Sequence, residues 1–382
     1  MKKITALLLA AILAISFAAC TGDGNVSDTT PTTNTDTATE GLTTAAGGTF
    51  ELALITDLGT IDDKSFNQGA WEGLKKYGEE NNKTFQYYKP TEQSDNAYLD
   101  AIGLAVQGGA KIVVTPGYLF EVPVHTAQTQ YPEVTFILLD GDPRPAGEGT
   151  AADIASNAIG VHYAEDQAGY LAGYAAIKDG YRKLGFMGGI AVPAVVSFGY
   201  GFIQGADAAA AELNLAKDEV TVKYNYTGTF TASPDIQTQA SAWYQEGVEV
   251  IFACGGGIGS SIMSAAETAG KKVIGVDVDQ EAESETVITS AMKELGQSVY
   301  DLVAKFYDGT FKGGESVILA AEQNGIGLPM ATSRFKTFSQ ADYDAIFAKL
   351  KNKEVTLVTE RNETGSPTII TTELVKIDEV VS

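Results

Sequence analysis

The residues able to do chemistry in this chain sit in short polar runs directly behind apolar ones. Asp57 follows the apolar run 50–55, Asp140 and Gly141 follow 135–139, and Asp277 follows 272–275. Pro116-Gly117-Tyr118 closes the run that starts at Ile112. Gly188-Gly189 closes 184–187, and Cys254-Gly255-Gly256-Gly257 closes 248–253. The types are carboxylate, glycine and aromatic. A carboxylate accepts a pair of hydrogen bonds from neighbouring hydroxyls, a glycine lets backbone approach closely, and an aromatic ring covers an apolar face. Together they suit a polar, hydroxylated, flat ligand that is held rather than transformed. An acidic cleft could also serve hydrolysis, but no ordered acid, base and nucleophile is recognisable. His125 and His162 fall in different segments without the Ser/Asp context of a triad. The loop 255–261 (GGGIGSS) offers a phosphate cradle as the sharper alternative. It lacks G-K-[ST] and the G-x-G-x-x-G spacing, so a tight turn close to a neutral sugar fits it better.

These runs are positioned by a regular alternation. The spacing predicts strands over 50–55, 83–88, 112–115 and 135–139, with helices over 66–77, 95–107 and 122–131. A second series follows, with helices over 165–177, 199–213, 235–246 and 260–269 and strands over 184–187, 219–224, 248–253 and 272–275. Such alternation implies parallel βαβ units with right-handed crossovers. Two series in one chain imply an α/β protein of two doubly wound lobes, with ligand at the carboxyl ends of the strands. Several of these residues have plainer readings. Phe66, Ala70, Leu74 and Tyr77 share one helical face, so Phe66 could be core. Asp57 and Asp277 could be helix N-caps, and Lys293 an ordinary surface lysine. Asp62-Asp63 reads as the start of the helix at 66, and Trp71 and Trp243 read as packing residues.

Acidic residues number 49 against 26 lysines and arginines, a formal charge of −23. That balance argues against nucleic acid, whose binding is driven by phosphate neutralisation. Beyond Gly48 the chain is long enough for two lobes with separate cores. The two cysteines are Cys20 and Cys254, and with no CxxC or Cys/His cluster neither a metal site nor a cofactor is expected. The chain starts Met1-Lys2-Lys3, runs apolar through 4–19 and reaches Cys20. This is the layout of a signal peptide over 1–19. Its apolar run of about 16 residues is short of the roughly 20 needed to span a bilayer. Cys20 directly behind Phe17-Ala18-Ala19 resembles the lipobox of bacterial lipoproteins, in which the thiol is diacylated and becomes the new N-terminus. Two acyl chains give a durable membrane tether where one is marginal. Residues 20–48, rich in Thr, Asp and Gly, then read as a disordered tether reaching about 30 Å. With Cys20 acylated, Cys254 has no disulfide partner.

The run 57–73 (DLGTIDDKSFNQGAWEG) resembles the signature of the basic membrane protein family of bacterial lipoproteins, which includes nucleoside-binding components of ABC transporters. VTPGYLF (114–120), YPEVTFILLDG (131–141), DQAGYLAGYAA (166–176), FMGGIAVPAVVSFGYGFIQGA (186–206), GVDVDQ (275–280) and TSAMK (289–293) match it in order. The resemblance implies a type I periplasmic binding protein that closes a nucleoside, expected to be a purine one, between its lobes. It implies that Phe66 and Phe198 stack on the two sides of the base and that Asn67 bonds a base edge. Asp57 and Asp140 would read polar groups of base or ribose, while the Gly256 backbone, Asp277 and Lys293 would hold the ribose hydroxyls. It further implies a monomer that delivers its ligand to a separate ABC permease. The lobes are expected at 49–157 plus 288–330 and at 158–287 plus 331–382, with hinges near 155–160, 280–290 and 329–337. A binder of a sugar or other small solute, or a lipid-anchored sensor or adhesin, would use the same fold.

Overall fold

The computed structural model describes residues 49–380, apart from 58, 148 and 363. The expectations for the leader, Cys20 and the tether 20–48 lie outside the described residues. Among the described residues no helix is long and apolar enough to cross a membrane.

The strands are β1 (Leu52–Ile55), β2 (Phe85–Tyr88), β3 (Ile112–Pro116), β4 (Thr135–Leu139), β5 (Ala158–Tyr163), β6 (Lys183–Gly188), β7 (Thr221–Tyr226), β8 (Val250–Cys254), β9 (Lys272–Asp277), β10 (Val287–Lys293), β11 (Glu315–Leu319), β12 (Ile326–Gly327) and β13 (Lys376–Glu379). The helices are α1 (Phe66–Glu80), α2 (Asp95–Gln107), α3 (Glu121–Gln130), α4 (Glu165–Lys178), α5 (Pro193–Glu212), α6 (Pro234–Gln245), α7 (Ile258–Ala269), α8 (Leu295–Asp308) and α9 (Gln340–Lys351). They build a six-stranded sheet, β11-β5-β4-β3-β1-β2, and a seven-stranded sheet, β12-β10-β9-β8-β6-β7-β13. Pairing is parallel throughout except for β12 against β10. Each sheet repeats the doubly wound order 2-1-3-4-5, whose ligand crevice lies beyond the carboxyl ends of its strands. The central strands β1, β3, β4 and β8 are buried at every position. This is why they read as unbroken apolar runs.

Strand pairing corrects the expected lobe boundaries. Residues 158–163 form β5, which pairs with β4 and β11 and so belongs to the first lobe. Residues 288–293 lie in β10, which pairs with β9 in the second, and β12 returns the chain to that sheet at 326. The crossings therefore fall at 163–165, 293–295 and 319–326, each displaced from its expected position. They are tied to one another. The Ala164 N–H donates to the Leu319 carbonyl at 3.1 Å and the Glu294 N–H to the Gly325 carbonyl at 3.0 Å. Gln167 Oε1 accepts the Ala321 N–H at 2.9 Å.

Helix α5 starts at Pro193, six residues before the expected start, with Pro in the first turn where its missing N–H costs nothing. Glycines disguise this helix, because their propensity is poor. They are present because α4 and α5 meet backbone to backbone. A Cβ on Gly201 would lie 1.9 Å from the Asp166 carbonyl oxygen, and one on Gly169 2.1 Å from that of Phe198. The first lobe uses the same device, since a Cβ on Gly73 of α1 would lie 2.1 Å from the Gly296 carbonyl oxygen of α8.

Candidate functional site

The carboxyl ends of both sheets face one interlobe cleft of about 780 Å³, part of it open to solvent. This is the size range of small-molecule sites. Asp57, Phe66, Asn67 and Asp140 line it from the first lobe, and Phe198, Gly256, Asp277 and Lys293 from the second. The eight residues that the resemblance assigns to the ligand are thus brought together. Gly59, Gly117, Tyr118, Leu119, Phe230 and Cys254 also line it. Phe230 carried no sequence signal, because it arrives on the loop behind β7.

Asp140, directly behind β4, and Asp277, the last residue of β9, are in left-handed backbone, with φ of +56° and +67°. Asp is one of the few side chains that tolerates this region. Such strain, of order 1 kcal/mol or more, concentrates at functional sites. Gly256, φ +56°, makes the equivalent turn behind β8, where a side chain would be strained.

At the centre lies Lys293, whose side chain is 1% exposed. Its Nζ is 2.5 Å from Asp140 Oδ2, 3.2 Å from Glu165 Oε1 and 3.9 Å from Asp277 Oδ1. The Phe66, Phe198 and Tyr163 ring centroids lie 4.8, 5.2 and 5.4 Å from the same atom. Two of these rings reach it from opposite lobes. Burial alone would push the ammonium's pKa down, but the three carboxylates outweigh it and hold the group above its ordinary value. Burial pushes Asp277 up to about 6, although the Lys293 ammonium and the Ser65 hydroxyl pull the other way. Asp140 Oδ1 is buried and accepts no hydrogen bond from the protein.

Further bonds bridge the lobes. Ser65 Oγ donates to Asp277 Oδ2 at 2.5 Å, and Gln280 Nε2 to the Lys64 carbonyl at 2.6 Å. Asp277 and Asp57 are therefore not helix caps. Asp57 Oδ1 accepts from the Gly59 N–H at 2.6 Å and from Asn67 Nδ2 at 3.0 Å. Asn67 Nδ2 also donates to Asp63 Oδ2 at 2.8 Å. The Asn67 amide hydrogens are thus engaged within the protein, and the residue braces Asp57. Asp63 accepts the N–H groups of Ser65, Asn67 and Gln68, which caps α1 as its position suggests. Phe198, one residue before the expected helix start at 199, lies inside α5; it is 1% exposed and edge-on to Phe252 at 5.9 Å. Phe66 is half-buried.

Glu165 is the residue sequence reasoning missed. A carboxylate in the first turn of a helix looks like a routine dipole partner, and only the arrival of Lys293 from a distant strand reveals its role. His162 and His125 each sit 3.0 Å from a carboxylate, of Asp142 and Asp153 respectively. No nucleophile–base–acid order results.

Comparison with known proteins places this geometry. The model of the Bmp family, described as ABC transporter substrate-binding protein PnrA-like, matches residues 50–361. The ABC transporter nucleoside-binding protein BmpA of Lactococcus lactis subsp. cremoris is 31% identical over 327 residues, covering 79% of this chain and 88% of that protein. Basic membrane protein A of Borreliella burgdorferi is 28% identical, covering 93% of this chain and 95% of that protein. A solute-binding protein of an ABC transporter system from Aeropyrum pernix K1 shares the fold, with a TM-score of 0.70 at 21% identity; 82% of this chain and 94% of that one are covered. A two-lobed α/β fold, a cleft at its strand ends and a family match across nearly all the described residues agree: the chain belongs to the Bmp family of PnrA-like ABC transporter substrate-binding proteins.

Proposed function

We propose that this protein captures nucleosides outside the cytoplasm, anchored to the membrane through a diacylated Cys20, and hands them to an ABC permease as a monomer. The observation that carries the reading is the pair of phenylalanines, Phe66 and Phe198, that approach one buried ammonium from opposite lobes. A flat base taken up between two such rings would gain about 1–3 kcal/mol from each stack, whatever the base. Asp57, braced by Asn67, reads a base edge. Asp277, Lys293 and the Gly256 backbone take the ribose hydroxyls, and Asp140 supplies its unengaged oxygen. The 31% identical relative named as nucleoside-binding supports the same ligand class. A family of solute-binding proteins, with no catalytic order among the cleft residues, favours capture over turnover.

Calorimetric titration of the leaderless, ligand-stripped protein tests this with adenosine, guanosine, inosine, uridine, deoxyadenosine, AMP and ribose. Nucleosides are expected to bind at about micromolar Kd or tighter, near −8 kcal/mol, with ribose silent. Deoxyadenosine is expected to be weaker by about 1–3 kcal/mol, because a buried acceptor loses its partner. AMP is expected to be weaker still, since a phosphate would meet Asp57, Asp140 and Asp277 with Lys293 as the one buried cation among the described cleft residues. Binding of ribose alone, or of nothing by a folded and empty protein, sinks the nucleoside assignment.

The bonds joining Ser65 to Asp277 and Lys293 to Asp140 exist only with the lobes together. The mechanism is therefore closure about the three crossings. Small-angle scattering should show the radius of gyration falling on addition of adenosine. An unchanged profile at saturating ligand rejects closure.

A further inference from the structure

We propose that Glu165 is a positioning residue for ligand capture, fixing the Lys293 ammonium beside the crossings so that closure presents one donor to Asp140, Asp277 and the ligand together. The inference rests on the nucleoside reading for its ligand, and on geometry for the rest. Glu165 is the first residue of α4, directly behind the first crossing, and Lys293 ends β10, directly before the second. Helix α4 packs on α5 and β10, so Glu165 and Lys293 both travel with the second lobe. Asp140, at the end of β4, travels with the first. The tight contact to Asp140 therefore forms on closure, whereas the 3.2 Å contact to Glu165 persists when the lobes part. Asp277, on the second lobe, stands 3.9 Å away and has its Oδ2 engaged by Ser65. A lysine stem carries considerable rotamer freedom. With rings on its other sides, Glu165 is the carboxylate nearest the ammonium within its own lobe. Glu165 does not line the cleft, so it acts through Lys293.

The groups around Glu165 set a pH signature. Lys293 and Asp140 face it, Asp277 lies across the ammonium, and His162, Tyr163 and Cys254 stand within its field. Burial pushes the Glu165 carboxyl up to about 7, against the pull of Lys293. A protonated Glu165 no longer holds the ammonium by charge. Affinity should therefore be full at pH 8, fall as the pH drops through about 7, and fall again near 6 as Asp277 takes its proton.

The test compares wild type with Glu165→Gln, which keeps the shape and removes the charge. Adenosine affinity is measured by calorimetry from pH 5.5 to 8.5. The side-chain nitrogen resonance of Lys293, assigned through Lys293→Arg, is followed in ¹⁵N-lysine-labelled protein without ligand. Glu165→Gln is expected to bind about tenfold more weakly at pH 8, the order lost with one charge-assisted bond. It should lose the inflection near 7, keep the lower one, and show a broadened or shifted Lys293 resonance. A uniform loss at every pH, or affinity within twofold of wild type with the inflection intact, overturns the proposal. Wild type that binds no nucleoside at pH 8 overturns the nucleoside reading instead. The resonance then decides alone: unchanged in Glu165→Gln, it rejects the positioning role; broadened or shifted, it supports it.

Discussion

Lys293→Met is expected to destabilise the protein by about 3–5 kcal/mol at pH 8, the cost of removing one partner from a buried ion cluster. The substitution leaves Asp140, Glu165 and Asp277 facing one another with no cation between them. Without the cation, buried Glu165 and Asp277 keep their protons to higher pH than in the unfolded chain. Glu165 and Asp277 are already raised with the ammonium present, to about 7 and about 6. The native variant then binds more protons than its unfolded form, so its stability is greatest in acid and is lost as pH rises through the native pKa values. Urea unfolding at pH 5.5 and pH 8 measures this. The gap between wild type and variant should narrow sharply at the lower pH. A gap that is pH-independent, or below about 1 kcal/mol at pH 8, means that the cluster does not carry the charges the geometry assigns to it.

The two cleft phenylalanines are expected to respond differently to truncation. Phe198 is 1% exposed and packed against Phe252, so Phe198→Ala should cost about 3–5 kcal/mol of stability. It should also weaken adenosine binding by about 1–3 kcal/mol. Phe66 is half-buried on the other lobe, so Phe66→Ala should show a comparable loss of affinity with a much smaller loss of stability. Thermal melts together with adenosine titrations below both transitions separate the two effects. Unaltered affinity in Phe66→Ala removes the stacked base from the reading. A Phe198→Ala protein as stable as wild type contradicts the packing of α5 over β8.

The sequence carries the inner parts of each lobe well. Helix 95–107 and strand 135–139 coincide with α2 and β4 to the residue. Ser94 caps the helix by accepting the Ala97 N–H at 3.2 Å, and a parallel strand buried on both faces is a bare apolar run. The crossings were not legible. Whether 158–163 and 288–293 join one sheet or the other depends on which strand each pairs with, and pairing is non-local. Beyond 275 the pattern is also hard to read, because β11 is a largely exposed edge strand and β12 has two residues. At the site, residue types behind the strands, together with the family resemblance, pointed to the cleft residues. The ion contact of Glu165 depends on Lys293, a partner that only folding brings near.

The glycine contacts give the molecule a short-armed lever. Helix α4 leaves the first crossing at Glu165, and α5, which carries Phe198, rests against it from Asp166, the next residue, onward. Helix α8 leaves the second crossing and seats α1, which carries Phe66, in the same way at Gly73. With no side chain between the paired backbones to give way, each helix pair moves as one body and each ring turns with its crossing. An arm this short yields small travel at the rings and much larger travel at the remote ends of α1 and α5. A reporter dye meant to signal occupancy therefore belongs at those remote ends, near Glu80 or Glu212, where the same rotation is amplified and the ligand is left undisturbed.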